Sequence, residues 1–128
     1  MTTLESTFQD ALLRALNAPG RPTRVWRQNV GTVVRRDDRG RKQGVFHAGP
    51  PMGAADLSGI AHGGLRLEIE CKSATAPWTP AQRRWADFIS NRGGVHVIVR
   101  YDEKLSLAEN VALAVAAVGA AIAERRAG

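Results

Sequence analysis

Apolar and polar residues alternate without interruption along residues 65–72, which read Leu-Arg-Leu-Glu-Ile-Glu-Cys-Lys. Successive side chains of a strand point to opposite faces, so this alternation predicts a strand with one apolar face and one charged face. The charged face carries Glu68, Glu70 and Lys72. We expect three charges in line beside a glycine-rich loop to face solvent or a ligand.

A second apolar stretch begins at Asp56 and is followed by the turn His62-Gly63-Gly64. An apolar run, a glycine-rich turn and another strand pattern predict a β-hairpin. The hairpin would bring Asp56 close to Glu70 and Lys72.

Helical spacing marks three other segments. Leu4, Phe8, Leu12 and Leu16 predict a first helix, with Thr2 as its N-cap and Glu5 as the acid of a capping box. The second helix is predicted to start at Thr79-Pro80 and to run to about Asn91. The third is Ala-rich, starts with a capping box at Ser106 and Glu109, and runs to about Arg125.

Further strands are predicted on either side of these elements. Residues 25–34 are rich in β-branched side chains and contain Gly31, which favours two strands separated by a turn or bulge. A turn at residues 37–40 leads to a short returning strand at 45–47, and residues 95–99 are apolar enough for a strand covered on both faces. We expect one α/β domain over residues 1–128, with its core at about 3–100 and the C-terminal helix at about 106–125.

The C-terminal helix carries the apolar stripe Val111, Val115, Val118 and Ile122. Two interpretations stay open: packing on the domain's own sheet, or contact with a second copy in a homodimer.

The most apolar stretch, residues 111–123, is shorter than the about 20 residues that span a bilayer. The acids Glu5 and Asp10 make the N-terminal segment unlike a signal peptide, so we expect a cytoplasmic protein without a membrane partner. We also expect it to be of bacterial or phage origin.

Charge narrows the class of partner. The chain has 128 residues, a formal net charge of +6 and an isoelectric point near 10.7, which favours polyanions such as nucleic acid or an anionic membrane. Eight of the eighteen basic residues fall within 22 positions: Arg21, Arg24, Arg27, Arg35, Arg36, Arg39, Arg41 and Lys42. Such a run is either a solvated hairpin or one wall of a groove that binds phosphates.

Cysteine and histidine usage excludes two other classes. A single cysteine allows no disulfide within the chain, and we expect Cys71 to be a small buried thiol. The three histidines, at 47, 62 and 96, are too widely spaced for a typical zinc site.

The residue set Asp56, Glu70 and Lys72 indicates a chemistry. Two carboxylates can hold a hard cation such as Mg²⁺ through oxygen, and a lysine beside them can stabilise charge that develops on a phosphate. This combination suits phosphodiester hydrolysis. The alternative is a solvated pair of charges on an exposed strand, which the spacing alone does not exclude.

In order along the chain, four motifs resemble the VRR-NUC domains of the PD-(D/E)XK nuclease superfamily, which also contains Holliday junction resolvases and many restriction enzymes. The motifs are Arg27-Gln28-Asn29-Val30-Gly31, Gly53-Ala54-Ala55-Asp56-Leu57-Ser58-Gly59, Glu70-Cys71-Lys72 and Thr79-Pro80-Ala81-Gln82. The resemblance covers about residues 4–100 and departs at Ala55, where the family usually has proline.

What the resemblance implies is specific. The fold would be a restriction-endonuclease-like core of order α-β-β-β-α-β, with a central mixed sheet flanked by helices. The activity would be that of a Mg²⁺-dependent endodeoxyribonuclease for branched or junction DNA, with Mn²⁺ able to substitute. By this resemblance Asp56, Glu70 and the Cys71 backbone carbonyl bind the metal, and Lys72 is the catalytic lysine.

Supporting roles follow from the same resemblance. Gln82 would lie near the site, Glu5 would support a metal or its waters, and Arg27 and Asn29 would face the substrate.

The basic residues Arg35, Arg36, Arg39, Arg41 and Lys42 are candidates for DNA contacts. Glu68 is a rival to Glu70, and no nucleotide cofactor is expected. Two alternative functions stay open: a DNA-binding module without catalysis, and a nuclease subunit of a larger phage or mobile-element complex.

Overall fold

The computed structural model describes the backbone of residues 3–28 and 31–128, and the side chains in those ranges except at 31–33 and 45–48. Its elements in chain order are α1 (Leu4–Leu16), β1 (Thr23–Arg27), β2 (Gly31–Arg36), β3 (Lys42–Ala48), β4 (Leu57–Ala61), β5 (Leu65–Ser73), α2 (Pro80–Asn91), β6 (Val95–Tyr101) and α3 (Leu107–Ala127).

Four strands form a mixed sheet in the order β1-β4-β5-β6. The β1–β4 and β4–β5 pairs are antiparallel, and β6 is parallel to β5. Strands β2 and β3 form a separate antiparallel pair, here called the basic arm (Gly31–Ala48). Without the arm, the order along the chain from α1 to β6 is helix, three strands, helix, strand. The predicted α/β class, with a mixed sheet flanked by helices, is confirmed.

The hydrophobic core lies between one face of this sheet and the helices α1 and α3. Phe8 and Leu12 of α1 and Val118 of α3 are almost fully buried there. The sheet contributes the apolar side of β5, with Leu67, Ile69 and Cys71, together with Val25, Leu57, Val95 and Val99. Cys71 is a buried free thiol, as predicted.

The start of α1 differs from the prediction. Thr3, rather than Thr2, is the N-cap, and its hydroxyl accepts a hydrogen bond from Ser6 N. The shift by one residue moves Glu5 to the second position of the helix, where it is not the acid of a capping box. Its presence therefore has no explanation in the capping of α1.

The start of α2 agrees with the prediction: Thr79 is the N-cap and Pro80 is the first helical residue. Gln82 also completes a capping box, which was not predicted. Strands β4 and β5 form the predicted hairpin around residues 62–64. These local signals fix the two elements that carry most of the candidate site.

Helix α3 buries Ala114, Val118 and Ile122 against the rest of the domain, where it packs on β6 and α1. Of the two interpretations of its apolar stripe, packing within the chain is confirmed, and the homodimer stays a prediction.

With 21 residues the helix α3 is long and apolar enough to cross a bilayer by length and composition alone. The length argument against a membrane span was therefore wrong, because it counted only the most apolar segment.

Candidate active site

The three charged side chains of β5 are buried, contrary to the expectation of a solvated face. The exposed fraction is 0% for Glu68, 5% for Glu70 and 9% for Lys72. Helix α2 lies over this face of the sheet, and the hydrogen bonds of Gln82 and Trp85 reach it. Burying charges is costly unless they are paired or bind ions, so the surroundings of each group decide its role.

Asp56 stands at the end of a loop, where two hydrogen bonds hold it in place. Its Oδ2 accepts a hydrogen bond of 2.8 Å from Cys71 N, and its backbone carbonyl accepts one of 2.9 Å from Gln28 N. Earlier in the loop, Gly53 has φ +93°, and a Cβ there would come within 2.5 Å of the Ala81 backbone. The loop thus packs on the first turn of α2, and glycine is required at that contact.

Glu70 has one satisfied oxygen and one open oxygen. Gln82 Nε2 donates to its Oε1 at 3.0 Å, whereas Gln82 Oε1 accepts from Thr79 N in the capping box. Among the described residues, the buried Oε2 of Glu70 has no hydrogen-bond partner. Gln82 is therefore both a cap residue of α2 and a contact of the site.

The surroundings raise the pKa of Glu70 to about 8. Burial is the largest cause, and the negative charge of Asp56 is the second. The ammonium of Lys72 acts in the opposite direction, and a hydrogen bond between the two carboxyl groups adds to the rise when Glu70 is protonated. Asp56 and Glu70 therefore lie close enough to share a proton, and a cation between them would relieve their repulsion.

Glu5 of α1 interacts electrostatically with the same cluster. Its pKa is raised, mainly by burial and then by the charge of Asp56, while the charge of Lys72 lowers it. The sequence resemblance placed this glutamate near the metal, and the structure brings it within electrostatic range of Asp56 and Lys72.

Glu68 is surrounded by donors. Its Oε1 accepts from Trp85 Nε1 at 2.7 Å and from Gln28 Nε2 at 3.2 Å. Its Oε2 lies 3.2 Å from Arg66 Nη2 in an ion pair that is not aligned as a hydrogen bond. Gln28 Nε2 also donates to Ala55 O, so Glu68 is linked through Gln28 to the residue before Asp56.

Two residues of this network, Gln28 and Trp85, were not identified as site residues from the sequence. A signal for Trp85 exists: Gln82 and Trp85 are one helical turn apart, as Glu70 and Glu68 are one same-face step apart on β5. Gln28 gave no comparable signal, because its role depends on the tertiary approach of β1 to the Asp56 loop.

The predicted DNA contacts fall into three groups. Arg35, Arg36, Arg39, Arg41 and Lys42 are exposed on the basic arm. Arg27 instead reaches α1, where its guanidinium donates to Gln9 Oε1 at 2.9 Å and pairs with Asp10. Asn29 lies outside the described residues.

The arm's two acids do not cancel its charge. Asp37 Oδ1 accepts from the backbone N–H groups of Arg39 and Arg41, and its Oδ2 pairs with the Arg41 side chain. These bonds, led by that from the Arg41 backbone, hold the pKa of Asp37 below its usual value. Asp37 thus shapes the turn, and Arg39 projects into solvent with no ion pair in the described part of the chain.

The residues at the site fit a hard cation. The open Oε2 of Glu70 and the carboxylate of Asp56 are oxygen donors, which Mg²⁺ and Mn²⁺ prefer. Within residues 3–28 and 31–128, no group of three or more His, Cys, Asp or Glu side chains is arranged to hold a metal. A two-carboxylate site completed by a backbone carbonyl agrees with both facts, and Glu5 as a further ligand stays a prediction.

The Cys71 thiol takes no part in such a site. It points into the core, and burial together with the neighbouring carboxylates raises its pKa well above the usual value. Only the backbone of Cys71 faces the candidate site, through the hydrogen bond to Asp56.

Comparison with protein-family models gives no matching family, and comparison with curated protein sequences gives no significant match.

Proposed function

We propose that this protein is a metal-dependent endodeoxyribonuclease with a restriction-endonuclease-like core, related to the VRR-NUC domains that its motifs resemble. One observation carries the proposal: the buried, donor-free Oε2 of Glu70 beside Asp56 and Lys72. Among the described residues this oxygen has no donor, and its burial is costly unless Glu70 is protonated, which its raised pKa favours without metal, or a cation binds it. The exposed cations of the basic arm favour a polyanionic substrate.

In this proposal Asp56, Glu70 and the Cys71 carbonyl hold Mg²⁺, with Mn²⁺ able to substitute. When bound, the ion polarises the scissile phosphate and lowers the pKa of a bound water. Gln82 holds Glu70 through Oε1 so that Oε2 stays directed at the ion. Lys72 Nζ stabilises the negative charge that develops on the phosphate or assists removal of the proton from the attacking water.

The basic arm is the proposed wall of the DNA groove. Its five exposed cations contact phosphates and position the duplex without reading its sequence. Each phosphate contact releases counterions, so binding should weaken steeply with salt. Branched or junction DNA is the proposed substrate, and a cytoplasmic location follows from such a role.

The test is cleavage of labelled linear, flap and four-way-junction DNA in Mg²⁺, Mn²⁺ or EDTA. Wild type should cut at least one substrate with either ion and none in EDTA, and Asp56→Ala and Lys72→Ala should not cut. Asp87→Asn and Lys104→Met, which remove exposed charges outside the site, are matched controls that should retain activity. Tight DNA binding without metal-dependent cutting of any substrate would replace the nuclease by a non-catalytic binding module.

A further inference from the structure

The face of the sheet that carries the candidate site is only half covered. Helix α2 covers the part formed by β5 and β6, where Trp85 reaches Glu68 and Ile89 packs against Gly94. On the β1–β4 side, the large apolar side chains of Trp26 and Ile60 are 45% and 47% exposed. Exposed apolar groups that adjoin one another on a sheet face indicate a contact surface.

Strand register orders this face into rows that cross the sheet. One row contains Arg24, Ile60 and Arg66, and the next contains Trp26, Ser58 and Glu68. Gln28 follows Trp26 by two residues and contacts Ala55 O, beside Asp56. The row of Trp26 and Glu68 therefore lies one same-face step from the row of Glu70, which is about 7 Å measured along the strands.

Charge selects the kind of molecule that fits this open face. Arg24 and Arg66 are exposed on either side of Ile60, and Glu68 is fully buried. Among the described residues of β1, β4 and β5 on this face, no carboxylate is exposed. An aromatic ring one row from two exposed guanidinium groups suits a strand with a flat base and a phosphate backbone, since bases stack on aromatic side chains and phosphates pair with arginine.

The aromatic surface continues onto α2. Phe88 is 44% exposed and stacks on Trp85 with ring centroids 5.4 Å apart and planes 9° apart. The guanidinium of Arg92 lies 3.7 Å above the Phe88 ring. The exposure of Phe88 and the guanidinium above it extend the apolar and positively charged surface beside Trp85.

We propose that the open face around Trp26 binds unpaired nucleotides of a DNA strand next to the cutting site. This inference rests on the proposed nuclease function and adds a basis for its substrate preference. The enzyme would prefer flaps, forks or junctions because they offer an unpaired base to Trp26. A blunt duplex, in which every base is stacked and paired, cannot offer one.

The proposal is tested by equilibrium binding of fluorescein-labelled DNA in EDTA, so that catalysis does not enter. The probes are a blunt duplex, the same duplex with a single-stranded flap, and oligo(dT). Trp26→Leu keeps an apolar side chain but removes the ring, whereas Trp26→Phe keeps a ring. Because stacking on an aromatic side chain strengthens binding of one base by about 5- to 100-fold, Trp26→Leu should weaken flap and oligo(dT) binding by that factor.

Three controls sharpen the result. Trp26→Phe should recover most of the affinity, and blunt-duplex binding should change little in either variant. Leu113→Ala, which truncates a 59% exposed leucine on α3, should bind all probes as wild type does. Arg24→Gln should reduce the slope of log affinity against log salt by about 0.7 for oligo(dT), whereas Trp26→Leu should leave the slope unchanged.

Equal flap binding by wild type and Trp26→Leu would overturn the proposal, and so would an equal loss for flap and blunt DNA. A change from dimer to monomer in Trp26→Leu, seen by analytical ultracentrifugation, would assign the face to a second copy instead. Failure of the nuclease proposal is distinguishable. If wild type cuts no DNA but prefers flaps through Trp26, only the nuclease fails, and if cutting is intact without that preference, only this inference fails.

Discussion

Glu68 and Glu70 stand two residues apart on the same face of β5, and both are almost fully buried, but their surroundings are opposite. Glu68 receives two hydrogen bonds on Oε1 and pairs with Arg66 through Oε2. Among the described residues, Glu70 has one side-chain donor, a buried oxygen without a hydrogen-bond partner and the like charge of Asp56 beside it. The difference teaches that burial does not define a functional carboxylate, whereas an unmet acceptor next to a like charge does.

The comparison assigns the two residues different tasks. Glu68 holds α2 through Trp85 and the Asp56 loop through Gln28, so it is a positioning residue. Glu70 is the proposed metal ligand. The E-x-K frame with Lys72 already favoured Glu70 over Glu68 in the sequence, and the hydrogen bonds supply a physical reason for that choice.

The largest expected effect is on cleavage. Glu70→Gln should reduce Mn²⁺-dependent cutting by more than about 100-fold, because Glu70 is the proposed direct ligand of the ion. Residues that only support a ligand typically cost about 10- to 100-fold. Glu68→Gln keeps an acceptor oxygen for Trp85 and Gln28 and should lose less than about 100-fold. Single-turnover rates on the best flap or junction substrate measure both, and a larger loss in Glu68→Gln would exchange the two roles.

Stability should show the reverse order. Glu68→Met leaves Trp85 Nε1 and Gln28 Nε2 without their acceptor and should lower the free energy of unfolding by about 2–4 kcal/mol. Glu70→Met leaves only Gln82 Nε2 without its acceptor and removes a carboxyl whose charge is opposed by burial and by Asp56, so without metal it should cost less than Glu68→Met. Urea unfolding in EDTA at pH 8 compares them. A loss in Glu70→Met equal to that in Glu68→Met would mean that Glu70 is also a structural group.

The pH dependence of metal-free stability isolates Glu70. Its pKa in the folded protein, about 8, is above the ordinary 4.5, so its favourable contribution is complete below pH 4.5 and is lost as pH rises through 8. Glu70→Gln has no such loss. In EDTA, the melting temperature of the variant relative to wild type should rise between pH 5 and 9 by about 10 °C or more, because a rise of the pKa from 4.5 to about 8 corresponds to several kcal/mol and each kcal/mol moves the melting temperature by several degrees. An equal difference at every pH would contradict the raised pKa.

The smallest effects concern the donors on α2. Trp85→Phe removes the donor to Glu68 and should cost about 1–2 kcal/mol of stability with little change in Mn²⁺ affinity. Gln82→Met removes the donor to Glu70 and part of the cap, so it should cost about 0.5–1 kcal/mol and weaken Mn²⁺ binding by up to about tenfold. Thermal melts and Mn²⁺ titrations of both variants check this. If Trp85→Phe weakened Mn²⁺ binding more, the two donors would not have separate roles.

Much of the scaffold of the site was predictable because its signals are local. Thr79-Pro80 starts α2, and the glycine turn at residues 62–64 joins β4 to β5, as the sequence indicated. These elements alone bring Asp56, Glu70 and Gln82 together. The order of strands from Asp56 onward follows from short connections that leave few alternatives.

Other features depend on tertiary contacts that no local pattern encodes. The alternation in β5 shows which residues share a face, but not that α2 covers the charged one. Arg27 was predicted to face substrate, and its pairing with Asp10 depends on how α1 lies beside β1. The cap of α1 was misplaced by one residue because Thr2 and Thr3 are equivalent by composition.

The central claim, that Asp56 and Glu70 form a metal site, is tested most directly by calorimetric titration of Mn²⁺ into the metal-free protein at pH 8.5. Wild type and Glu68→Gln should both bind the ion saturably, and Asp56→Asn and Glu70→Gln should show no specific binding. Binding by Glu70→Gln that equals wild type, or no saturable binding by wild type, would contradict the account.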